Sequence, residues 1–148
     1  MQYLIFLATS VTWTAPPPAW TQTDPNDIRI VNMSVLNGST QLALRWNYTL
    51  PAGVLISTTF SIRLNDGSFD DVAMISGGSI AVLNYYRTRF NISNSEAATL
   101  IINKVTEREE GVYQCGLITV LNSWRYRIRV IVTGEYCNVY CTAFIRVM

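Results

Sequence analysis

The chain contains no histidine and little charge. Only 14% of its 148 residues are charged, and the formal net charge is +1. Histidine is the commonest general acid or base and the usual partner of a catalytic serine or cysteine, so its absence weighs against most enzymatic mechanisms. The near-neutral balance gives no electrostatic footprint for a nucleic acid. The sequence therefore predicts a binding protein that is not an enzyme, with no cofactor, no metal and no nucleic-acid partner.

The sequence also lacks an apolar run of the roughly 18 residues that a membrane-spanning helix needs. Its N-terminus is uncharged as far as Asp24, and the apolar segment 3–8 resembles the core of a signal peptide. We predict a signal peptide over residues 1–19, with a buried N-terminal strand as the alternative, and a linker over residues 20–27. A membrane is expected only through segments absent from this chain. The apolar ending 144–148 indicates a fragment.

Four sequons support secretion or display on the outer side of the plasma membrane. Each fits the acceptor pattern Asn-x-Ser/Thr without proline at the middle position. Their asparagines are Asn32, Asn37, Asn47 and Asn91. A glycan is bulky and needs an exposed site, so we expect these asparagines on the surface of a glycoprotein.

Residues 28–133 are predicted to form one all-β domain, followed by a tail or the start of a further segment over 134–148. Short apolar or alternating runs are separated by turn residues, and no segment keeps the helical period of 3.6. The predicted strands lie near 28–36, 40–48, 57–64, 69–75, 79–83, 88–92, 98–103, 111–118 and 124–132.

The last predicted strand alternates clearly between apolar and basic residues. Its inner face is predicted to carry Trp124, Tyr126, Ile128 and Val130. Arg125, Arg127 and Arg129 then form a row on the outer face. Two interpretations stay open: a solvated face that deters edge pairing, or a basic stripe that meets a ligand.

Segments 89–92, 99–105 and 109–115 closely resemble strands D, E and F of variable-set immunoglobulin domains. The family pattern is an acidic residue, a small residue and then Tyr-x-Cys, and here it is formed by Glu109, Gly111, Tyr113 and Cys115. The resemblance implies an immunoglobulin-like Greek-key β-sandwich of the variable type, with about nine strands. It also implies that Tyr113 is a tyrosine corner and that Arg89 and Glu109 form an exposed ion pair.

The sequence departs from this family in strand B. The family carries a cysteine there, and the alignment places Trp46 at that position, while Phe60 stands near the tryptophan of strand C. The usual disulfide between the sheets cannot form, so we expect Cys115 to be a buried free thiol. Cys137 and Cys141 would bridge each other or a partner outside this chain.

Two smaller groups of residues have ordinary explanations. Asp66, Asp70 and Asp71 match no calcium-binding pattern and suit an exposed turn. Tyr85 and Tyr86 precede strand D, where they either form an aromatic contact patch or pack as its shoulder.

The resemblance implies recognition of a protein partner, homophilic or heterophilic, by a cell-surface receptor or adhesion protein. In the family the sheet of strands C, F and G is the usual docking face. Here it would present Arg63, Gln114, Arg125, Arg127 and Arg129, and no sequon falls on strands F or G, which predicts a face free of sugar. The alternatives are a soluble secreted recognition or defence factor, and the ectodomain of a receptor kinase or phosphatase.

Overall fold

A computed structural model describes five stretches of the chain: residues 11–14, 19–22, 30–49, 55–93 and 98–134. In the first two stretches and at residue 49, the backbone alone is described. The predictions for Cys137, Cys141 and the tail beyond residue 134 lie outside the described residues.

The described stretches consist almost entirely of β-strands. These are β1 (Val11–Thr14), β2 (Ala19–Gln22), β3 (Ile30–Leu36), β4 (Leu42–Arg45), β5 (Asn47–Thr49), β6 (Leu55–Arg63), β7 (Phe69–Ser76), β8 (Ser79–Val82), β9 (Phe90–Ile92), β10 (Thr99–Ile102), β11 (Gly111–Thr119) and β12 (Ser123–Thr133). Two short 3₁₀-helices, Asn84–Tyr86 and Glu107–Glu109, precede β9 and β11. No helix in these stretches has the length and apolarity to cross a bilayer.

Two of the sheets enclose the core. One has six strands in the order β3-β12-β11-β6-β7-β8, and the other has three in the order β4-β10-β9. The pairing of β3 with β12 is parallel, whereas the other pairings in these sheets are antiparallel. Side chains alternate between the core and the outside along each long strand, because successive residues of a strand point to opposite faces.

All nine predicted strands are present, with ends displaced by a residue or two. One of them, predicted over 40–48, is divided at Trp46 into β4 and β5. The backbone N–H of Trp46 leaves the strand ladder and donates to the carbonyl oxygen of Ala98, at 3.0 Å. Beyond this point β5 pairs with β1 in a third sheet, ordered β2-β1-β5.

The strands β1 and β2 lie where we predicted a leader and then a linker. β1 pairs antiparallel with β2 over four residues and with β5 over three. Extended pairing therefore occurs in this part of the chain. Removal of a leader stays a prediction.

Large aromatic side chains fill the space between the two main sheets. Trp46 and Phe60 are both buried, and their ring centroids are 5.8 Å apart. Cys115 is the strand partner of Phe60 across β11 and β6, and it is a fully buried free thiol. Burial raises the pKa of this thiol well above its usual value. The centre of the sandwich is therefore held by packing, with an inert thiol beside it.

A second aromatic group closes one end of the core. The ring of Phe90 lies 5.8 Å from that of Tyr86 and 6.0 Å from that of Tyr113. Tyr113 donates its hydroxyl to the backbone carbonyl of Glu109 at 2.8 Å, and Tyr86 donates to a carboxylate oxygen of Asp70 at 2.6 Å. These two hydroxyls tie the aromatic group to β7 and to the 3₁₀-helix before β11.

The packing of Trp46 predicts a large loss of stability in the variant Trp46→Ala. Among the described residues the indole N–H has no hydrogen-bond partner, so the ring contributes through packing. Removing a buried aromatic ring costs about 3–5 kcal/mol. We expect the free energy of unfolding, measured by urea denaturation, to fall by this amount. Tyr85→Ala is the control, since Tyr85 is 83% exposed, and should cost no more than about 1.5 kcal/mol. Equal losses in the two variants would contradict a central role for Trp46.

The hydrogen bond between Tyr86 and Asp70 predicts that the stability of the domain depends on pH in the alkaline range. This bond, together with burial, raises the pKa of Tyr86 to about 12. Because the unfolded value is about 10, the stabilisation is complete below pH 10 and is lost as the pH rises through 12. The stability difference between wild type and Tyr86→Phe should therefore shrink over this range in urea denaturation. A constant difference would rule this out, and Tyr85→Phe should show no such trend.

Candidate functional site: a basic groove on the six-stranded sheet

The outer face of the six-stranded sheet carries the arginines of the last strand. Trp124, Tyr126, Ile128 and Val130 of β12 are buried in the core. The alternation predicted for this strand is confirmed. The arginines between these residues therefore point away from the core, with Arg125 and Arg129 exposed and Arg127 half-buried.

A groove of about 390 Å³ lies on this outer face. Strands β6, β7, β11 and β12 contribute its walls and floor. The lining residues are Thr59, Ser61, Phe69, Asp71, Gln114, Gly116, Leu117, Ile118, Ser123, Trp124, Arg125 and Arg127.

Arg127 is held in a fixed position in the groove. Its guanidinium lies over the ring of Phe69, with the central carbon 4.5 Å from the ring centroid. Its Nε–H donates to the side-chain oxygen of Gln114 at 2.9 Å. Burial, followed by repulsion from Arg63 and Arg125, lowers the pKa of Arg127, although an arginine stays protonated at neutral pH. The charge is therefore partly desolvated and oriented before any ligand arrives.

The groove owes its depth to Gly116. A Cβ atom at this position would lie 2.7 Å from the hydroxyl oxygen of Thr59 on the neighbouring strand. Real Cβ atoms do not approach this closely, so a larger residue would displace Thr59 and fill the floor. A residue without a side chain is what keeps the floor open.

Positive charge exceeds negative charge around the groove. Asp71 is the acidic residue in the lining, and it already accepts a hydrogen bond from the Ser61 hydroxyl at 2.7 Å. Arg125 and Arg63 have no acidic partner among the described residues. The site can therefore accept an anionic group without first breaking an ion pair.

The structure brings four of the five predicted contact residues together. Gln114, Arg125 and Arg127 line the groove, and Arg63 is the strand partner of Phe69, close enough to contribute to the lowered pKa of Arg127. Arg129 lies on the same face outside the groove. Gln114 is only 8% exposed, so it supports Arg127 from beneath and is not presented to solvent as we predicted.

Sequence reasoning missed Phe69, Thr59 and Gly116. Their roles depend on the register of β6 with β7 and with β11, which includes an irregularity between Phe60 and Ser61. The available signals were a glycine inside a predicted strand, which often marks a close approach, and an aromatic residue at the start of β7.

The prediction that this face is free of sugar stays a prediction, and one sequon lies on an edge of the same sheet. Asn32 is exposed on β3, the edge strand of the six-stranded sheet, and it is the register partner of Arg129. A glycan there would cover the Arg129 side of the face. Asn91 is exposed on the opposite sheet, Asn47 is exposed on β5, and Asn37 is half-buried in the turn after β3.

Arg89 and Glu109 lie together, but their pair is not exposed as expected. Arg89 Nε lies 3.4 Å from Glu109 Oε1, and the side chains are 34% and 7% exposed. The other carboxylate oxygen of Glu109 accepts from the backbone N–H and the hydroxyl of Thr106, at 2.9 and 2.5 Å. The Thr106 side chain in turn accepts from the backbone of the 3₁₀-helix Glu107–Glu109, and together with the backbone bond of Thr106 to Glu109 this forms a capping box. Glu109 is therefore a buried anchor for the turn before β11.

Tyr85 and Tyr86 have different surroundings. Tyr85 is 83% exposed and packs edge-on against the buried Tyr86. A second cavity, of about 610 Å³, lies beside Tyr85 and includes Arg89 and Lys104. Unlike the groove, this cavity contains an ion pair, between Arg89 and Glu109.

The predicted aspartates do not meet at one point. Asp66 accepts from the backbone N–H and hydroxyl of Ser68, while Asp70 and Asp71 bond to Tyr86 and Ser61. No group of three or more His, Cys, Asp or Glu side chains within the described stretches is arranged to hold a metal ion.

Comparison with known proteins gives the fold. No protein-family model matches the chain, and no curated protein matches it in sequence. Among solved structures, murine CRIg matches with a TM-score of 0.54 and 14% sequence identity, over 68% of this chain and 92% of the other. The fold is an immunoglobulin-like β-sandwich. At this identity the likeness speaks for the fold alone, and function has to be argued from the site.

The close approach at Gly116 predicts a coupled effect of two substitutions. Gly116→Ala forces its new methyl group against the Thr59 hydroxyl and should destabilise the domain by about 1–3 kcal/mol. Thr59→Ala removes the obstacle, so the double variant should recover most of this loss. Urea denaturation of the four proteins measures the coupling, which we expect to exceed about 1 kcal/mol. Additive effects would show that the two residues do not compete for the same space.

Proposed function

We propose that this chain is an extracellular recognition domain that binds a protein partner through the outer face of the six-stranded sheet. The observation that carries the proposal is Arg127, oriented by Gln114 and Phe69 beside a groove with uncompensated positive charge. A fixed, partly desolvated charge loses little conformational entropy on binding, which is the property of a prepared recognition site.

The strand order supports a variable-type domain. In that type, two extra strands extend the sheet of strands G, F and C. Here β12, β11 and β6 are followed in order by β7 and β8, which fits strands G, F, C, C′ and C″. The opposite sheet, β4-β10-β9, fits strands B, E and D.

This assignment supports the proposed loss of the disulfide between the sheets. With β4 as strand B, Trp46 follows it directly and packs on Phe60 of strand C, next to the free Cys115 of strand F. An indole and a phenyl ring then occupy the volume that a disulfide and a tryptophan fill in other members. Tyr113, bonded to the Glu109 carbonyl, fits the tyrosine corner.

A heterophilic partner is favoured over self-association. In a two-fold symmetric dimer the same patch lies on both sides of the interface. Such a dimer through this face would bring the arginines around one groove close to those of its copy, with Asp71 as the acidic residue in the lining. Like charges at an interface are unfavourable, so a partner with an acidic surface suits the groove better.

The sequons support secretion and glycosylation, and a cell-surface receptor or adhesion protein is the setting that we propose. A soluble recognition or defence factor, or the ectodomain of a receptor kinase or phosphatase, would use the same face. Sequencing the full transcript distinguishes these settings, since a membrane segment encoded in the same transcript would exclude the soluble factor.

The test uses tetramers of the glycosylated domain on cells of its own organism and on an array of cell-surface proteins. We expect saturable binding that falls about tenfold or more when Arg125→Glu and Arg127→Glu are combined, because the substituted face repels an acidic partner. Sedimentation equilibrium of the wild type should show a monomer.

The matched control combines Arg45→Glu and Lys104→Glu. It changes the net charge by the same amount but lies on β4 and on the turn after β10, away from the groove. Binding should persist in the control. Binding that survives the groove variant, or that is lost equally in the control, would refute the proposed face.

A further inference from the structure

The N–H donors of Arg127 differ in whether they already have a hydrogen-bond acceptor. Among the described residues, its Nε–H is the N–H group that has an acceptor, namely Gln114. The guanidinium plane is fixed by the Phe69 ring at 4.5 Å, so its rotation is restricted. The terminal N–H groups are left to bind something that enters the groove.

A second arginine, Arg125, adds cationic donors to the same groove. Arg125 lines the groove two residues earlier on β12, and its strand partner is Gly116, where no side chain intervenes. Asp71 cannot neutralise the pair fully, because it is one carboxylate and is hydrogen-bonded to Ser61. The groove thus combines the cationic donors of the two arginines with the apolar surfaces of Phe69 and Ile118.

The geometry of arginine narrows the choice of anion. A guanidinium is planar and pairs with a carboxylate through parallel hydrogen bonds. An extended polyanion is disfavoured, since the chain has a formal net charge of +1. The apolar part of the lining matches the methylene groups and neighbouring side chains of an acidic residue in a protein.

We propose that the groove receives an aspartate or glutamate side chain of a partner protein, with Arg127 as the anchor and Arg125 as a second donor. The inference rests on the proposed function and specifies the chemistry that the partner presents. Gln114 and Phe69 are positioning residues, which hold Arg127 ready for that carboxylate.

The experiment needs no identified partner. The probes are the peptides acetyl-Leu-Glu-Leu-amide and acetyl-Leu-Gln-Leu-amide, which differ only in carboxylate against amide. The readout is the Arg127 Nε–H signal in ¹H–¹⁵N correlation spectra of the intact chain. We expect the glutamate peptide to shift this signal saturably, with a dissociation constant on the order of millimolar, and the glutamine peptide to bind about tenfold or more weakly. Added salt should weaken the glutamate peptide selectively.

Substitutions of arginines on β12 show which arginine anchors the peptide. Binding to these variants is followed through the backbone amide signal of Gly116. Arg127→Gln should weaken the glutamate peptide about tenfold, and Arg127→Lys should weaken it as well, because lysine keeps the charge but not the planar pair of donors. Arg129→Gln is the control, since Arg129 shares the strand and the face but not the groove. It should change the affinity less than twofold.

Three results would overturn the inference: equal affinity for the two peptides, equal loss in the Arg127→Gln and Arg129→Gln variants, or clearly tighter binding of N-acetylneuraminic acid than of the glutamate peptide through Arg127. The last result would assign the groove to an acidic sugar. None of these results bears on the tetramer experiment, which tests the whole outer face of the sheet. Failure of the carboxylate inference can therefore be distinguished from failure of the proposed function.

Discussion

The packing of Trp46 against Phe60 is the interaction on which the rest of the molecule depends. These rings meet between the two main sheets with their centroids 5.8 Å apart, beside a free Cys115. Dispersion and the removal of apolar surface from water therefore hold the sheets together at this point. Removing a buried ring from such a core is costly, so the outer faces are where side chains can vary most readily.

The same constraint fixes the position of the arginines. Along β12 the core requires Trp124, Tyr126, Ile128 and Val130 on one side, and a strand has only two sides. A slip of one residue would bury three arginines and expose the aromatic rings, so the register is strongly specified. The basic face is thus a direct consequence of how the core is packed, and its charge can be retained or changed without affecting the interior.

The sequence predicted the parts of the structure that depend on local alternation. The nine strands and the inward and outward residues of β12 follow from a period of two, which is visible within a few residues. The division of a strand at Trp46 was not predictable, because it depends on a hydrogen bond with Ala98, far along the chain. The stacking of Arg127 on Phe69 likewise requires the register of several paired strands. Gln114 was predicted to lie on the right face, but its burial beneath Arg127 depends on side-chain packing that no local pattern encodes.

The parallel pairing of β3 with β12 limits how a partner can approach. It places Asn32 beside Arg129, so a glycan on Asn32 would occupy the edge of the sheet nearest to that arginine. The groove lies further inward, between β12 and β7. Met74 is exposed on β7, beside the opposite edge strand β8. A partner would therefore reach Arg127 from the β7 and β8 side, with the sugar shielding the arginine that the groove does not use. We propose that Arg125 and Arg127 serve recognition, while Arg129, on the same face but outside the groove, is a solvated charge. Because β12 lies between β3 and β11, Arg129 does not guard a sheet edge.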